Sequence, residues 1–139
     1  MQNSFERGIT LLHSFWYEEA EREFEQIAEI DRKCAMADWG ATMSLWHQLW
    51  DEATPATIKR GQTEIDKVQS LPLSTARCTA REGDYISALS AFYGQNGKTY
   101  EQRVSAYSAA MERLYQQFPA DHEAAAFYAL SLLSLPPIL

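Results

Sequence analysis

Gly8-Ile9-Thr10-Leu11-Leu12-His13-Ser14-Phe15-Trp16-Tyr17-Glu18-Glu19-Ala20-Glu21-Arg22-Glu23-Phe24 is the stretch whose reading decides the fold. It reads as two helices meeting at a Phe15-Trp16 turn. A helix–turn–helix pair packs closely only where small residues stand at the contact, and large apolar residues must fill the space between one pair and the next. Gly8, Leu11, Ala20 and Phe24 supply small, large, small and aromatic in that order. The first helix is expected over about Ser4–His13, with Asn3 or Ser4 as cap and Glu6 at capping-box spacing from Asn3. The second is expected over about Tyr17–Glu29. Glu18 and Glu19 fall in its first turn, where the helix dipole favours negative charge, and Ala20, Phe24, Ile27 and Ala28 form its apolar stripe.

The same vocabulary continues to the end of the chain. Valine occurs only at Val68 and Val104, while Ala, Leu, Glu and Gln are plentiful, so strand chemistry is nearly absent. A third helix is expected from about Cys34 to Leu49, after an Asp31 cap. Thr54-Pro55 is a cap followed by proline at the first helical position. It opens a fourth helix carrying Ile58, Ile65 and Val68, which Leu71-Pro72-Leu73-Ser74 ends. Thr79 and Glu82 form a capping box for a fifth helix with Tyr85, Ile86, Leu89 and Phe92, stopped by Gly94 and Asn96-Gly97. Thr99 and Gln102 form another for a sixth, striped by Val104, Tyr107, Met111, Leu114 and Phe118 and closed by Pro119. Asp121 caps a seventh that reaches about Leu135, before Pro136-Pro137.

The pairing of helices recurs in register. Trp39, Gly40 and Met43 repeat the large–small–large pattern of the first helix, and Gly61, Ile65 and Val68 repeat the spacing of Ala20, Phe24 and Ile27. The loop Gln48–Pro55 reads as an insertion between those halves. Met111, Leu114 and Pro119 take the late positions of a third pair, and Tyr128-Ala129 with Leu132 begins a fourth. On these residues the chain resembles the tetratricopeptide-repeat superfamily along its whole length. It is similar, more narrowly, to the N-terminal part of longer bacterial repeat proteins, through His13-Ser14-Phe15, Tyr17, Glu19-Ala20, Cys34-Ala35-Met36-Ala37, Trp39-Gly40, Asp84-Tyr85-Ile86, Ala88-Leu89 and Glu123–Leu130. It departs from the family pattern at Arg32, where proline often ends a repeat, at Arg7, usually large and apolar, and at Tyr107, usually small. The resemblance implies an all-α fold of about seven helices: a right-handed array of antiparallel helical hairpins, a TPR-like α-solenoid. Residues 1–139 then form one domain, with repeats over about 3–32, 34–73 and 79–119 and a partial fourth over 121–135. It further implies a concave face that binds proteins or peptides, and no chemistry.

Composition narrows the partners. The chain has 139 residues, which suits one domain, and hydrophobic residues at 46% with charged residues at 22% place it among globular proteins. Its net charge of −7 repels phosphate backbones and anionic lipid, so neither nucleic acid nor membrane is expected as a partner. The longest apolar stretch, in Ala124–Leu135, is too short to span a bilayer. No basic segment followed by an apolar one follows Met1, so a cytoplasmic location is expected, with secretion left open for a trimmed chain. Cys34 and Cys78 form no CxxC and suggest no disulfide framework.

A search for chemistry finds little. GxGxxG, P-loop, HExxH and GxSxG sequences are absent, and Gly94 and Gly97 read as turn residues. His47 and Asp51 stand one helical turn apart, the spacing of an imidazole tuned by a carboxylate; the plainer reading is a helix-end histidine near an acid. His122 follows a cap, and His13 at the end of the first helix is placed to donate to an uncapped carbonyl. Cys34 at a helix start invites a lowered thiol pKa, but beside Ala35 and Ala37 it reads as a packing residue. No metal, cofactor or catalytic residue is expected. Glu18, Glu19, Glu21, Glu23, Glu25 and Glu29 make an acidic outer surface, read as a solvated face with a docking patch for a basic segment as the alternative. Trp39, Met43 and Trp46 read as core, while Trp50 divides evenly between core and interface.

The expected function is therefore a non-enzymatic scaffold that binds a peptide, a protein segment or a second copy of itself. By family position Phe5, Ile9, Leu12 and His13 would line the groove in the first repeat, and Ala37, Ala41, Ser44 and Gln48 in the second, with Trp50 beside them. Phe127, Leu132, Leu133 and Leu135 cover more than one stripe of the last helix and are expected to meet a second copy or further repeats. The alternative is a small-molecule or catalytic helical domain built on His47, Asp51 and the nearby tryptophans.

Overall fold

The computed structural model describes residues 2–70, 79–94 and 96–135. Among them are seven helices and no strand: α1 (Gln2–His13), α2 (Tyr17–Ile30), α3 (Ala35–Met43), α4 (Pro55–Ser70), α5 (Ala80–Tyr93), α6 (Tyr100–Gln117) and α7 (His122–Leu133). Each helix packs on the next in sequence, and α3 also touches α1 and α5. Leu71–Ser74, read above as a helix stop, Cys78, and Pro136-Pro137, read above as following the last helix, lie outside the described residues.

The caps explain most boundaries. The Thr54 hydroxyl accepts from Thr57 N at the start of α4, and the Thr79 hydroxyl accepts from Glu82 N at the start of α5. Thr99 and Gln102 form a reciprocal box on α6, and an Asp121 oxygen accepts from Glu123 N and Ala124 N. Three expectations are corrected. α1 begins at Gln2, so Asn3 and Ser4 lie inside it. Cys34, not Asp31, stands at the N-cap of α3, while Asp31 caps the end of α2. α3 stops at Met43 rather than near Leu49. There the Ser44 hydroxyl turns back to donate to Gly40 O, and Leu45 N and Trp46 N bond three residues back, to Thr42 O and Met43 O. This tightened exit swings Trp46 onto Phe92, its ring stacked at 3.8 Å, with its indole N–H donated to Tyr100 Oη.

The α1–α2 turn has a specific geometry. Phe15 sits at φ 61, Trp16 N bonds Leu11 O and Phe15 N bonds Leu12 O. That is the paired bonding of a Schellman motif, with phenylalanine where glycine is usual. The last carbonyls of α1 are thereby satisfied by backbone, which leaves the His13 ring available for another partner.

The core is continuous from α1 to α7. Phe24, Trp39, Trp46, Leu89, Phe92, Tyr93, Tyr107, Met111 and Phe127 are its large members. Leu11 and Tyr128, which the repeat pattern places in the core, are only partly buried against it. Gly8 on α1 and Gly40 on α3 leave room for the Phe24 ring of α2, and Gly61 on α4 leaves room for Tyr93 of α5.

Burial raises the phenols of Tyr93, Tyr107 and Tyr85 above their ordinary value. The folded chain holds these protons to higher pH than the unfolded chain. Their stabilisation is complete below the ordinary tyrosine value of about 10 and is lost as pH rises beyond it. Helicity should therefore collapse in strong alkali in the same step in which the buried phenols of Tyr85, Tyr93 and Tyr107 ionise, after the exposed Tyr115. A smooth, complete phenolate titration with the helices intact would contradict this.

Candidate functional site

α1, α3, α5 and α7 enclose a cleft of about 860 Å³. Phe5, Glu6, Ile9 and Thr10 come from α1, Met36 and Trp39 from α3, Arg81, Glu82 and Tyr85 from α5, and Glu123 and Phe127 from α7. Ile27 near the end of α2, Asp31 and Cys34 beyond it, and the α7 cap Asp121 complete the lining.

Its deepest part is aromatic. Trp39 meets Tyr85 edge-on with centroids 5.6 Å apart and Phe127 at 5.5 Å, so three helices contribute one ring each. Tyr85 donates its hydroxyl to Asp121 at 2.8 Å, and Arg81 stands 3.7 Å from the same carboxylate. Burial first, and then the hydrogen bond to Asp121 and that residue's charge, push the Tyr85 phenol up. Burial also raises the Cys34 thiol; the Ala37 N–H opposes it, while the charges of Asp31, Glu82 and Asp38 add to it. That shift favours the thiol over the nucleophilic thiolate.

A side-chain contact joins α1 to α7 through two cleft residues, Glu123 and Phe127. His13 Nε2 and Glu123 Oε2 lie 2.5 Å apart, and the His13 ring rests on Phe127 at 4.7 Å.

The residues assigned to a groove from sequence are scattered. Phe5 and Ile9 line the cleft, while Leu12 is buried beneath it. His13 joins the α1–α7 contact. Ala37, Ser44 and Gln48 are buried and present no groove surface, and Ala41 is partly buried against the core. The reason is crowding: α3 is flanked by α1, α2, α4 and α5, so little of its surface stays open. Trp50 is exposed and touches Phe15 edge-on, outside the cleft lining.

On α7, Leu132 and Leu133 are 48% and 71% exposed. Phe127 is a correction: it is 2% exposed, consumed by the core of its own chain. Leu135 packs partly against that core.

His47 stacks face to face on Tyr17 at 4.4 Å instead of pairing with Asp51, whose backbone N–H alone reaches back to it. The acidic face of α2 is partly neutralised: Arg60 pairs with Glu21 at 2.6 Å and Glu25 at 3.7 Å, and Arg7 with Glu23 at 3.5 Å.

Sequence reasoning missed Arg81, Glu82, Tyr85, Asp121 and Glu123 as a group, because only the tertiary packing brings residues of α5 and α7 to the same cleft as those of α1. The one signal in the sequence is that, by the expected repeat register, Asp84-Tyr85 and Glu123–Tyr128 would occupy first-helix positions of their pairs.

Among the described residues no group of three or more His, Cys, Asp or Glu is placed to hold a metal ion, and no helix is long and apolar enough to cross a membrane. No protein-family model, curated protein or solved structure matches the chain.

Proposed function

We propose that this chain is a non-enzymatic scaffold of the TPR-like kind, a right-handed array of antiparallel helical hairpins that binds an extended peptide or protein segment in the α1–α3–α5–α7 cleft. One observation carries the reading: the cleft is lined chiefly by the odd-numbered helices, the first of each pair, as a hairpin array with a binding concave face would have it. Its volume falls in the range of roughly 300–1,000 Å³ usual for ligand sites. The raised Cys34 thiol and the His47–Tyr17 stack favour binding over catalysis.

The test is selection from a displayed random-peptide library, with Ile9→Arg as the counter-target. Ile9 is a half-buried cleft residue, so the substitution obstructs the site without emptying the core. Selected peptides should lose about tenfold or more in affinity for Ile9→Arg. Equal binding to both proteins, or failure to enrich any peptide, would refute the reading.

Exposed Leu132 and Leu133 favour a second contact, with another copy of the chain. Light scattering across a concentration series should then show dimer that Leu133→Glu abolishes. A monomer at every concentration removes this contact and leaves the cleft untouched.

A further inference from the structure

We infer that the occupant of the cleft is a basic segment, an extended stretch carrying arginine or lysine beside apolar side chains. This rests on the peptide-binding reading above and names the chemistry it selects. Glu82, Asp121 and Glu123 line the cleft around a base of Trp39, Tyr85 and Phe127. Arg81 is the one cationic lysine or arginine in the lining, and it is drawn to Asp121. A guanidinium or ammonium entering here meets carboxylates and aromatic rings together, and it is attracted by both. A carboxylate entering would meet like charge in a partly desolvated space. The same field is felt by two weak acids in the wall, since carboxylate charge adds to the upward shift of both Tyr85 and Cys34.

A second observation is independent of charge. Trp39 is 1% exposed, and its indole N–H is buried with no hydrogen-bond acceptor. Buried donors are rarely left so. Met36, three residues earlier on α3, is a flexible side chain in the same lining. An extended peptide brings backbone carbonyls that can accept from it, whereas a free amine brings charge alone. An acidic surface, such as most of a second copy of this chain at −7, fits the carboxylate-lined cleft poorly.

The experiment titrates three capped peptides into isotopically labelled protein and follows the assigned Trp39 indole resonance. The first is acetyl-Gly-Leu-Arg-Leu-Arg-Leu-Gly-amide; the others carry Gln or Glu in place of Arg. The Arg peptide should shift the resonance and bind at least about tenfold tighter than the Gln peptide, with the advantage shrinking as salt rises. The Glu peptide should not bind. The double variant Glu82→Gln with Glu123→Gln should erase the preference while its spectrum stays folded, since both replacements keep side-chain shape. Equal binding of the Arg and Gln peptides, or tight binding of the Glu peptide, overturns the basic-segment inference and leaves peptide binding standing. Retention of the preference in the double variant also overturns it. If no peptide moves the resonance, both readings fall.

Discussion

Phe24→Ala should cost about 3–5 kcal/mol, a large part of the roughly 5–15 kcal/mol that holds a domain of this size together. The Phe24 ring is completely buried, meets Phe5 edge-on at 5.5 Å and fills the space that Gly8 and Gly40 leave open. Truncation removes the ring and leaves three helices facing a void. Urea unfolding followed by far-ultraviolet circular dichroism measures the loss, and a value below about 1 kcal/mol would show that the ring does not hold α1, α2 and α3 together. The converse change makes the same point. A methyl group on Gly40 would overlap the Phe24 ring, so Gly40→Ala should destabilise the native chain yet be tolerated once Phe24 is alanine. That sign of coupling is what a double-mutant cycle reads.

Gly61→Ala should be almost as severe, at about 2–4 kcal/mol. A Cβ there would overlap the Tyr93 ring. Tyr93 has no room to retreat: it is fully buried, packs edge-on against Phe92 at 4.8 Å, and donates its hydroxyl to Thr42 O at 3.0 Å. Moving the ring breaks a buried hydrogen bond between α5 and α3 as well as the packing. The unfolding midpoint should fall with little change in slope. An unchanged midpoint would mean that α4 and α5 separate more easily than their packing implies.

Both predictions concern small residues that were visible in the sequence. Gly8, Gly40 and Gly61 stood at recurring offsets from large apolar residues, and the structure places an aromatic ring against each. The caps Thr79, Thr99 and Asp121 were legible because a cap acts within three residues of itself. What was not legible depends on residues far apart in the chain. The 39, 43, 46 and 50 spacing continued a helix that the Ser44 turn ends, because Trp46 gains more against Phe92 and Tyr100 than a continued helix would offer it. Arg103 is buried in α6, and its Nη1 donates to the carbonyls of Phe92, Tyr93 and Gly94 at the end of α5. Nothing local to that arginine marks it as the partner of another helix's last carbonyls. The cleft is half legible: Phe5 and Ile9 follow from family position, but its carboxylates come from α1, the end of α2, α5 and the start of α7, positions that no local spacing in the sequence joins.

The meeting of His13 with Glu123 and Phe127 joins positions about as far apart as the chain allows. A stack of helical pairs whose ends lie apart can fray one unit at a time, each terminal unit leaving at its own modest cost. Here the terminal helices touch each other, and Phe127 also seats against Trp39 of α3. α7 packs mainly on α6, and its Phe127 reaches across to Trp39, so withdrawing α7 uncovers the aromatic base of the cleft as well as the His13 ring. The contact couples α1 to α7, so loosening either helix should be felt at the other, and their amide protons should exchange together rather than one helix at a time.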